Sequence, residues 1–155
     1  PDTAQGLFIM PPYQRDRMKI VSLLFLVAAL PAYAQSVVTG TCLVIDGDTV
    51  NVINGSDTTK VRLRGIAAPE IEQQGGKEAS AFLEKFAEGK PVRCVLDESK
   101  TRKFEIGTCH VGGQDIAAAV VKAGWARDCT RLSGGKYRSL ERPEAKKLFF
   151  PNYCK

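Results

Sequence analysis

Residues that commonly hold zinc are scarce in this sequence. It contains a single histidine, His110, and its five cysteines include no C-x-x-C pair. Structural zinc sites use four cysteine or histidine ligands, and these ligands often come in closely spaced pairs. A structural zinc site is therefore not expected. Because five is an odd number, at least one cysteine is left without a partner in the same chain.

A long hydrophobic run is also missing. The longest, residues 20–30, is interrupted by Ser22 and falls short of the roughly 20 apolar residues that span a bilayer. It follows a Met-Lys start and leads to an Ala-x-Ala site ending at Ala34, so residues 18–34 are typical of a secretory signal peptide. A buried core helix and an uncleaved anchor are the alternatives.

The rest of the chain has the composition of one globular domain. Hydrophobic residues make up 44% and charged residues 25%, which excludes a fully disordered chain, a collagen-like repeat and a multi-span membrane protein. Residues 1–17 lack periodicity, and we interpret them as translated upstream sequence, with Met18 as the start and Met10 as the weaker candidate. We assign residues 35–155 to one domain. The net charge of +5 favours an anionic partner, although it also suits a solvated face.

Alternating β-branched residues predict the first three strands. Runs at 41–45 and 49–53 flank Asp46 and Gly47, a dipeptide typical of tight hairpin turns because glycine adopts positive φ without penalty. A third alternating run covers 60–66. These three runs predict an antiparallel meander.

Helical spacing appears further along the chain. Apolar residues predict a helix over 77–87, and Asp115 can cap a second helix that ends at Gly124. The remaining predicted elements are strands at 91–96 and 104–111 and a last helix over 139–148, broken near Pro143.

This order of elements predicts the fold class. Helices stand between the third and fourth strands and after the fifth. We predict an α+β protein with a five-stranded Greek-key β-barrel of OB type and about three helices.

Three sequence blocks carry the strongest functional signal. Residues 46–49 read D-G-D-T, residues 61–70 read VRLRGIAAPE, and residues 121–126 read VKAGWA. In this order and spacing they resemble the staphylococcal nuclease (thermonuclease) family, and in particular an exported bacterial branch of it. The resemblance extends over about residues 41–128 and implies the same barrel fold.

The resemblance implies hydrolysis of phosphodiester bonds. Arg62 and Arg102 would hold the phosphate oxygens, which suits the fixed fork of the guanidinium group. Glu70 would hold or activate the attacking water. Without the resemblance, Arg62 is one polar residue of a strand face, Arg102 is a solvated charge in a turn, and Glu70 is a first-turn acid favoured by a helix dipole.

A divalent cation is also implied by the resemblance. Asp48 and the backbone carbonyl of Ala68 would bind Ca²⁺, with Mg²⁺ or Mn²⁺ as alternatives, and Lys100 and Lys103 would contact the substrate backbone. Ala67, however, stands where the family usually has an aspartate ligand. This departure supports an alternative function, a catalytically impaired OB-fold module that binds nucleic acid. We expect an aspartate at position 67 to tighten Ca²⁺ binding with little change in fold.

The resemblance also implies nucleic-acid partners, and the predicted signal peptide over residues 18–34 implies a location. We expect DNA or RNA as the substrate, with little sequence preference and the single-stranded form preferred. We expect a secreted or periplasmic monomer without stable membrane association once the segment 18–34 is removed.

The cysteine positions predict two disulfides. Cys94 and Cys109 lie symmetrically about the turn between the last two strands, so they should face each other across the strand pair. We expect Cys129 to pair with Cys154 and to fix a tail that lacks the family's closing helix. Cys42 is then the unpaired, buried thiol.

Overall fold

The computed structural model describes residues 35–100 and 103–155. The predicted signal peptide and upstream segment, residues 1–34, lie outside this range, as do Thr101 and Arg102. No helix in the described part of the chain is both long and apolar enough to cross a membrane.

The first three strands form the predicted meander. They are β1 (Val37–Asp46), β2 (Thr49–Asn54) and β3 (Asp57–Leu63), and both neighbouring pairs are antiparallel. The turn between β1 and β2 lies where the sequence predicts it, but the expected reason for its glycine is wrong. Gly47 is not among the glycines with positive φ. A Cβ there would lie 2.6 Å from Cβ of Ala79 and 2.8 Å from Cβ of Ala68, so space requires the glycine.

The remaining elements are further strands, three helices and three 3-10 turns. A two-residue strand β4 (Ile66–Ala67) and helix α1 (Gly76–Ala87) precede β5 (Pro91–Lys100) and β6 (Glu105–Val111). Then come β7 (Gln114–Asp115), α2 (Ile116–Ala123), β8 (Arg127–Asp128), α3 (Thr130–Ser133), and the 3-10 turns Arg138–Leu140, Pro143–Lys147 and Asn152–Cys154.

Five strands close into a barrel. The order β3-β2-β1-β5-β6 is antiparallel throughout, and β3 also pairs in parallel with β6, so the last strand returns to the first edge. Short strands β4 and β8 pair separately, and β7 extends the β6 edge. Closure leaves this sheet without a long free edge. The predicted α+β fold with a five-stranded OB-type barrel and three helices is confirmed.

The barrel interior is filled by alternate strand residues and covered by helices. Val61 and Leu63 of β3 are almost fully buried, while Arg62 between them is only partly buried. Helix α1 buries Ala79 and Leu83 on the face that the sequence predicts. The strand alternation therefore fixes the side of the sheet from which Arg62 can act.

Helix α2 begins and ends as predicted. The Oδ1 atom of Asp115 accepts the N–H of Ala118 at 3.2 Å, and Gly124 ends the helix with φ of 86°. Asp115 Oδ2 also accepts hydrogen bonds from Lys136 Nζ at 2.7 Å and from the hydroxyl of Tyr137 at 3.0 Å. One carboxylate thus joins the start of α2 to the C-terminal segment.

The predicted last helix over 139–148 is wrong. That stretch holds only the end of the turn Arg138–Leu140 and the turn Pro143–Lys147. Arg142 precedes the proline and is extended, with φ of −84° and ψ of 149°. The ring of a proline disfavours the α region in the residue before it, which separates the two turns.

Both disulfides form as predicted. Cys94 and Cys109 are directly opposed in the β5–β6 ladder and are bonded, and Cys129 is bonded to Cys154. Cys42 is free and only 1% exposed. Disulfides persist mainly outside reducing compartments, so the two bonds indicate a non-cytoplasmic location.

Candidate active site

The site is centred on an ion pair between the first turn of the barrel and its third strand. Nη2 of Arg62 lies 2.8 Å from Oδ2 of Asp48. The turn and the strand are neighbours because Thr49 is opposite Arg62 in the β2–β3 ladder and the N–H of Leu63 donates to the carbonyl of Asp48 at 2.8 Å. Backbone pairing therefore sets the distance between the two charges.

The Asp48 carboxylate is buried and fully engaged. Its side chain is 3% exposed, its Oδ1 accepts the hydroxyl of Thr49 at 3.1 Å, and its Oδ2 also accepts the N–H of Ala68 at 3.0 Å. Burial raises the pKa of Asp48 to about 7, while the guanidinium of Arg62 opposes the shift and the nearby carboxylate of Asp46 adds to it.

The guanidinium of Arg62 faces several negative groups and one ring. Partial burial alone would lower the pKa of Arg62, but Asp48 raises it, with smaller contributions from Tyr153, Asp46 and Glu70. Cζ of Arg62 also lies 5.8 Å from the centre of the Phe104 ring. Arg62 therefore stays charged at any working pH.

Glu70 lies at the rim of this pair. It is exposed and follows the buried Pro69, and it is near enough to Arg62 to add to the raised pKa of that residue. A local turn holds its backbone, since its N–H donates to Oε1 of Gln73 and its carbonyl accepts the N–H of Gln73. The structure thus pairs Asp48 with Arg62 and places Glu70 within electrostatic range of Arg62.

The other predicted site residues are placed only in part. Arg102 lies outside the described residues, and Lys100 is described as the last residue of β5. Lys103 is exposed and precedes Phe104, whose ring lies beside Arg62. The N–H of Ala68, not its carbonyl, makes the contact with Asp48.

Tyr153 near Arg62 was not predicted from the sequence. It belongs to the last 3-10 turn and, with Arg62, borders a cavity of about 190 Å³. The predicted bond between Cys129 and Cys154 was the signal that could have found it, because that bond brings the end of the chain back to the barrel.

A divalent cation does not fit the described residues as they stand. Among residues 35–100 and 103–155, no three His, Cys, Asp or Glu side chains are grouped as a metal would need. Ca²⁺ takes six to eight oxygen ligands, and carboxylates usually supply several of them. Here both oxygens of Asp48 already accept hydrogen bonds, one of them from Arg62.

Position 67 is buried beside the Cys129–Cys154 disulfide. Ala67 is fully buried and packs with Cys129, Cys154 and Phe150 in a small apolar cluster. The expectation that an aspartate enters here with little change in fold stays a prediction, and this packing opposes it. Its carboxylate would be buried against the disulfide, and burying an unpaired charge is costly.

Comparison with known proteins identifies relatives of this chain. The family of staphylococcal nuclease homologues matches residues 60–147. "Ribonuclease TUDOR 2" of Arabidopsis thaliana is 30% identical over 106 residues, and "Ribonuclease TUDOR 1" of the same plant is 28% identical over 127 residues. These matches cover 63% and 77% of this chain but only 11% and 13% of the two plant proteins.

A bacterial relative is closer in length. An "Uncharacterized endonuclease" of Escherichia coli O157:H7 is 24% identical over 109 residues, which cover 70% of this chain and 71% of that protein. The names of these relatives refer to cleavage of nucleic acid.

Proposed function

This chain belongs to the family of staphylococcal nuclease homologues, and from that membership we propose that it hydrolyses phosphodiester bonds of DNA and RNA with little sequence preference. The observation that supports the proposal most is the buried Asp48–Arg62 pair with Glu70 at its rim. Nuclease domains of this family bind nucleic acid, and a charged guanidinium held in one position suits a phosphate.

In this proposal Arg62 binds the non-bridging oxygens of the scissile phosphate. The guanidinium contacts Asp48 through Nη2 and makes no other hydrogen bond to the described residues. The remaining N–H groups of the guanidinium fork can therefore donate to phosphate oxygens. Asp48 acts as the positioning residue, and Arg102 is proposed as the second phosphate ligand on the family resemblance alone.

Glu70 is proposed to hold the attacking water and accept its proton. Oxygen of that water forms a bond to phosphorus, the bond from phosphorus to the leaving oxygen breaks, and the leaving oxygen takes a proton from solvent. An exposed carboxylate beside the phosphate-binding arginine can accept the water's proton. Lys100 and Lys103 are proposed to contact the backbone of a single-stranded substrate.

We propose that cation binding is weak, because Ala67 supplies no carboxylate and Asp48 is engaged by Arg62. A Ca²⁺, Mg²⁺ and Mn²⁺ series with a chelator control, on single-stranded and duplex DNA and on RNA, tests both the reaction and its ion requirement. Cleavage that Arg62→Ala abolishes supports the nuclease. Binding without cleavage under every ion supports the alternative, an OB-fold binding module, which the position of Ala67 favours.

The location is a further part of the proposal. We propose a secreted or periplasmic monomer whose mature form begins at Gln35, supported by the two disulfides and by the composition of residues 18–34. Mass analysis of the protein recovered outside the cytoplasm tests the cleavage, and light scattering tests the monomer. A mature form that retains residues 18–34 would contradict it.

A further inference from the structure

The C-terminal segment places an aromatic residue, Tyr153, near Arg62. The proposed chemistry assigns no role to this residue. Tyr153 is 50% exposed, although it stands on a turn fixed by the neighbouring Cys154. Tyr153 borders the same cavity as Arg62 and is near enough to contribute to the raised pKa of that arginine. An aromatic ring held half open beside a phosphate-binding residue is available for stacking.

The cavity also carries unmatched positive charge. Arg62 and Arg64 border it from the third strand and the residue after it, and each has an acidic partner, Asp48 and Asp97, at 2.8 Å. Arg131 of α3 also borders it and is exposed. Within the described part of the chain, Arg131 makes no ion pair. Its charge is therefore available to an anion from outside.

We propose that this cavity is a nucleotide subsite, in which Arg131 contacts the phosphate next to the one held by Arg62 and the ring of Tyr153 stacks on the attached base. The inference rests on the proposed nuclease function. Base-to-aromatic stacking is tolerant of sequence because every base has a π-face, so this subsite adds affinity without sequence preference.

The Cys129–Cys154 bond positions both walls of the subsite. Cys154 directly follows Tyr153, and Cys129 directly precedes α3, which carries Arg131. The N–H of Cys129 also donates to the carbonyl of Gly65 at 2.9 Å, which anchors the disulfide to the end of the strand that bears Arg62. The two cysteines are therefore positioning residues for substrate binding.

A second cavity gives the direction in which the nucleic acid continues. It has a volume of about 740 Å³ and shares Arg131 with the subsite. Four more basic residues border it, Arg127, Arg138, Lys146 and Lys155, together with the acidic Asp128 and Glu141. A strand that leaves the subsite past Arg131 meets further positive charge there, as backbone-tracking grooves require.

The test separates binding from turnover. We would measure kcat and KM for cleavage of single-stranded octathymidylate and dithymidylate, and Kd by fluorescence anisotropy under non-cleaving conditions. Tyr153→Ala and Arg131→Ala should each raise KM and Kd for the octamer roughly 5- to 100-fold, the range expected for one lost stacking or phosphate contact, with kcat within about twofold of the parent. Tyr153→Phe should match the parent, because stacking uses the ring and not the hydroxyl.

Two matched controls come from the same segment. Phe149→Ala removes an aromatic side chain of similar exposure that borders neither cavity, and Lys147→Ala removes a charge that borders neither. Both should leave KM unchanged. The double variant Cys129→Ser with Cys154→Ser should raise KM as Tyr153→Ala does. If it does not fold, the single variants decide the question.

The experiments test the proposed subsite and the proposed nuclease function separately. If Arg62→Ala abolishes cleavage while Tyr153→Ala and Arg131→Ala keep the parent KM, the subsite is wrong and the proposed function stands. If the parent neither cleaves nor binds the octamer, the proposed function fails and the subsite with it. If the variants weaken binding of a parent that binds without cleaving, the subsite stands in a binding module.

Discussion

Oδ2 of Asp48 lies 2.8 Å from Nη2 of Arg62 and accepts the N–H of Ala68 at 3.0 Å as well. One buried carboxylate oxygen thus fixes a guanidinium and a loop backbone at the same time. Arg62 is thereby held in one orientation, and its other guanidinium N–H groups remain available as donors. Such preorganised charge is what stabilises a phosphoryl transition state.

Arg62→Ala should reduce phosphodiester cleavage by about 10²- to 10³-fold, the usual loss when one transition-state donor is removed, while Kd for substrate changes less. Arg62→Lys should recover only part of the rate, because a lysine cannot hold two phosphate oxygens at once. Arg93→Ala, an exposed arginine on β5, is the control. Cleavage at the parent rate by Arg62→Ala would show that the assigned site is wrong.

Asp115→Ala should destabilise the protein by about 1–3 kcal/mol at pH 7, since it removes a helix cap and a partly buried hydrogen-bond acceptor. Asp115→Asn should cost less, because an asparagine oxygen can still cap α2. Urea unfolding measures both. Glu72→Ala, an exposed acid outside this network, should change nothing.

The pH dependence of the Asp115 effect has a definite sign. Partial burial alone would raise the pKa of Asp115, but hydrogen bonds from Lys136 and Ala118 outweigh it and hold the pKa below its usual range. A carboxyl with a lowered folded pKa stabilises the fold above its ordinary pKa and loses that contribution as the pH falls through the folded value. The difference in the free energy of unfolding between the parent and Asp115→Asn should therefore decrease below about pH 4. A constant difference in the free energy of unfolding from pH 7 to pH 2 would contradict an ionic contribution from the contact between Asp115 and Lys136.

Ala67→Asp should destabilise the fold by about 3 kcal/mol or more, because it places an unpaired carboxylate against the Cys129–Cys154 bond. Ala81→Asp, at an exposed position of α1, is the matched control and should be close to neutral. Thermal unfolding measures both variants, and calorimetry with Ca²⁺ follows on whatever folds. An Ala67→Asp protein that is as stable as the parent and binds Ca²⁺ more tightly would overturn this assignment of position 67.

Cys42 should not react with maleimide in the native, oxidised protein. Burial raises the pKa of its thiol to about 11, and the nearby carboxylate of Glu88 adds to the shift, so almost no reactive thiolate exists at neutral pH. One thiol should become reactive in urea, and five after reduction in urea. Rapid native labelling, or a count other than one in unreduced urea, would contradict the pairing.

The elements that the sequence predicts well are those set by short-range chemistry. The β1–β2 turn, the cap at Asp115 and the opposed pair Cys94 and Cys109 each depend on residues close in sequence or on one strand pairing. The site residues Asp48, Arg62 and Glu70 come from the family resemblance, and the structure pairs the first two and places Glu70 within electrostatic range of Arg62.

The predicted last helix is wrong for a local reason, because Arg142 before Pro143 is extended and this restriction outweighs the helical spacing. The other features that the sequence does not predict depend on long-range packing. The side to which Ala67 points is decided by its pairing with Arg127 across β4–β8 and by a disulfide formed far along the chain. The place of Tyr153 follows from the same disulfide, and no periodic pattern near it could have indicated Arg62 as its neighbour.

The two disulfides lie one after the other along the chain, not interlaced, and Cys42 precedes both. During synthesis the first two cysteines to emerge are therefore Cys42 and Cys94, and an oxidant that joined them in that order would trap a non-native ring. Folding of β1 into the barrel buries Cys42, so a chain whose strands collapse before oxidation avoids that ring, and an isomerase can correct it otherwise. Because of this unpaired thiol, the order of folding and oxidation affects which disulfides form. Removing it by Cys42→Ala should make oxidative refolding depend less on an isomerase.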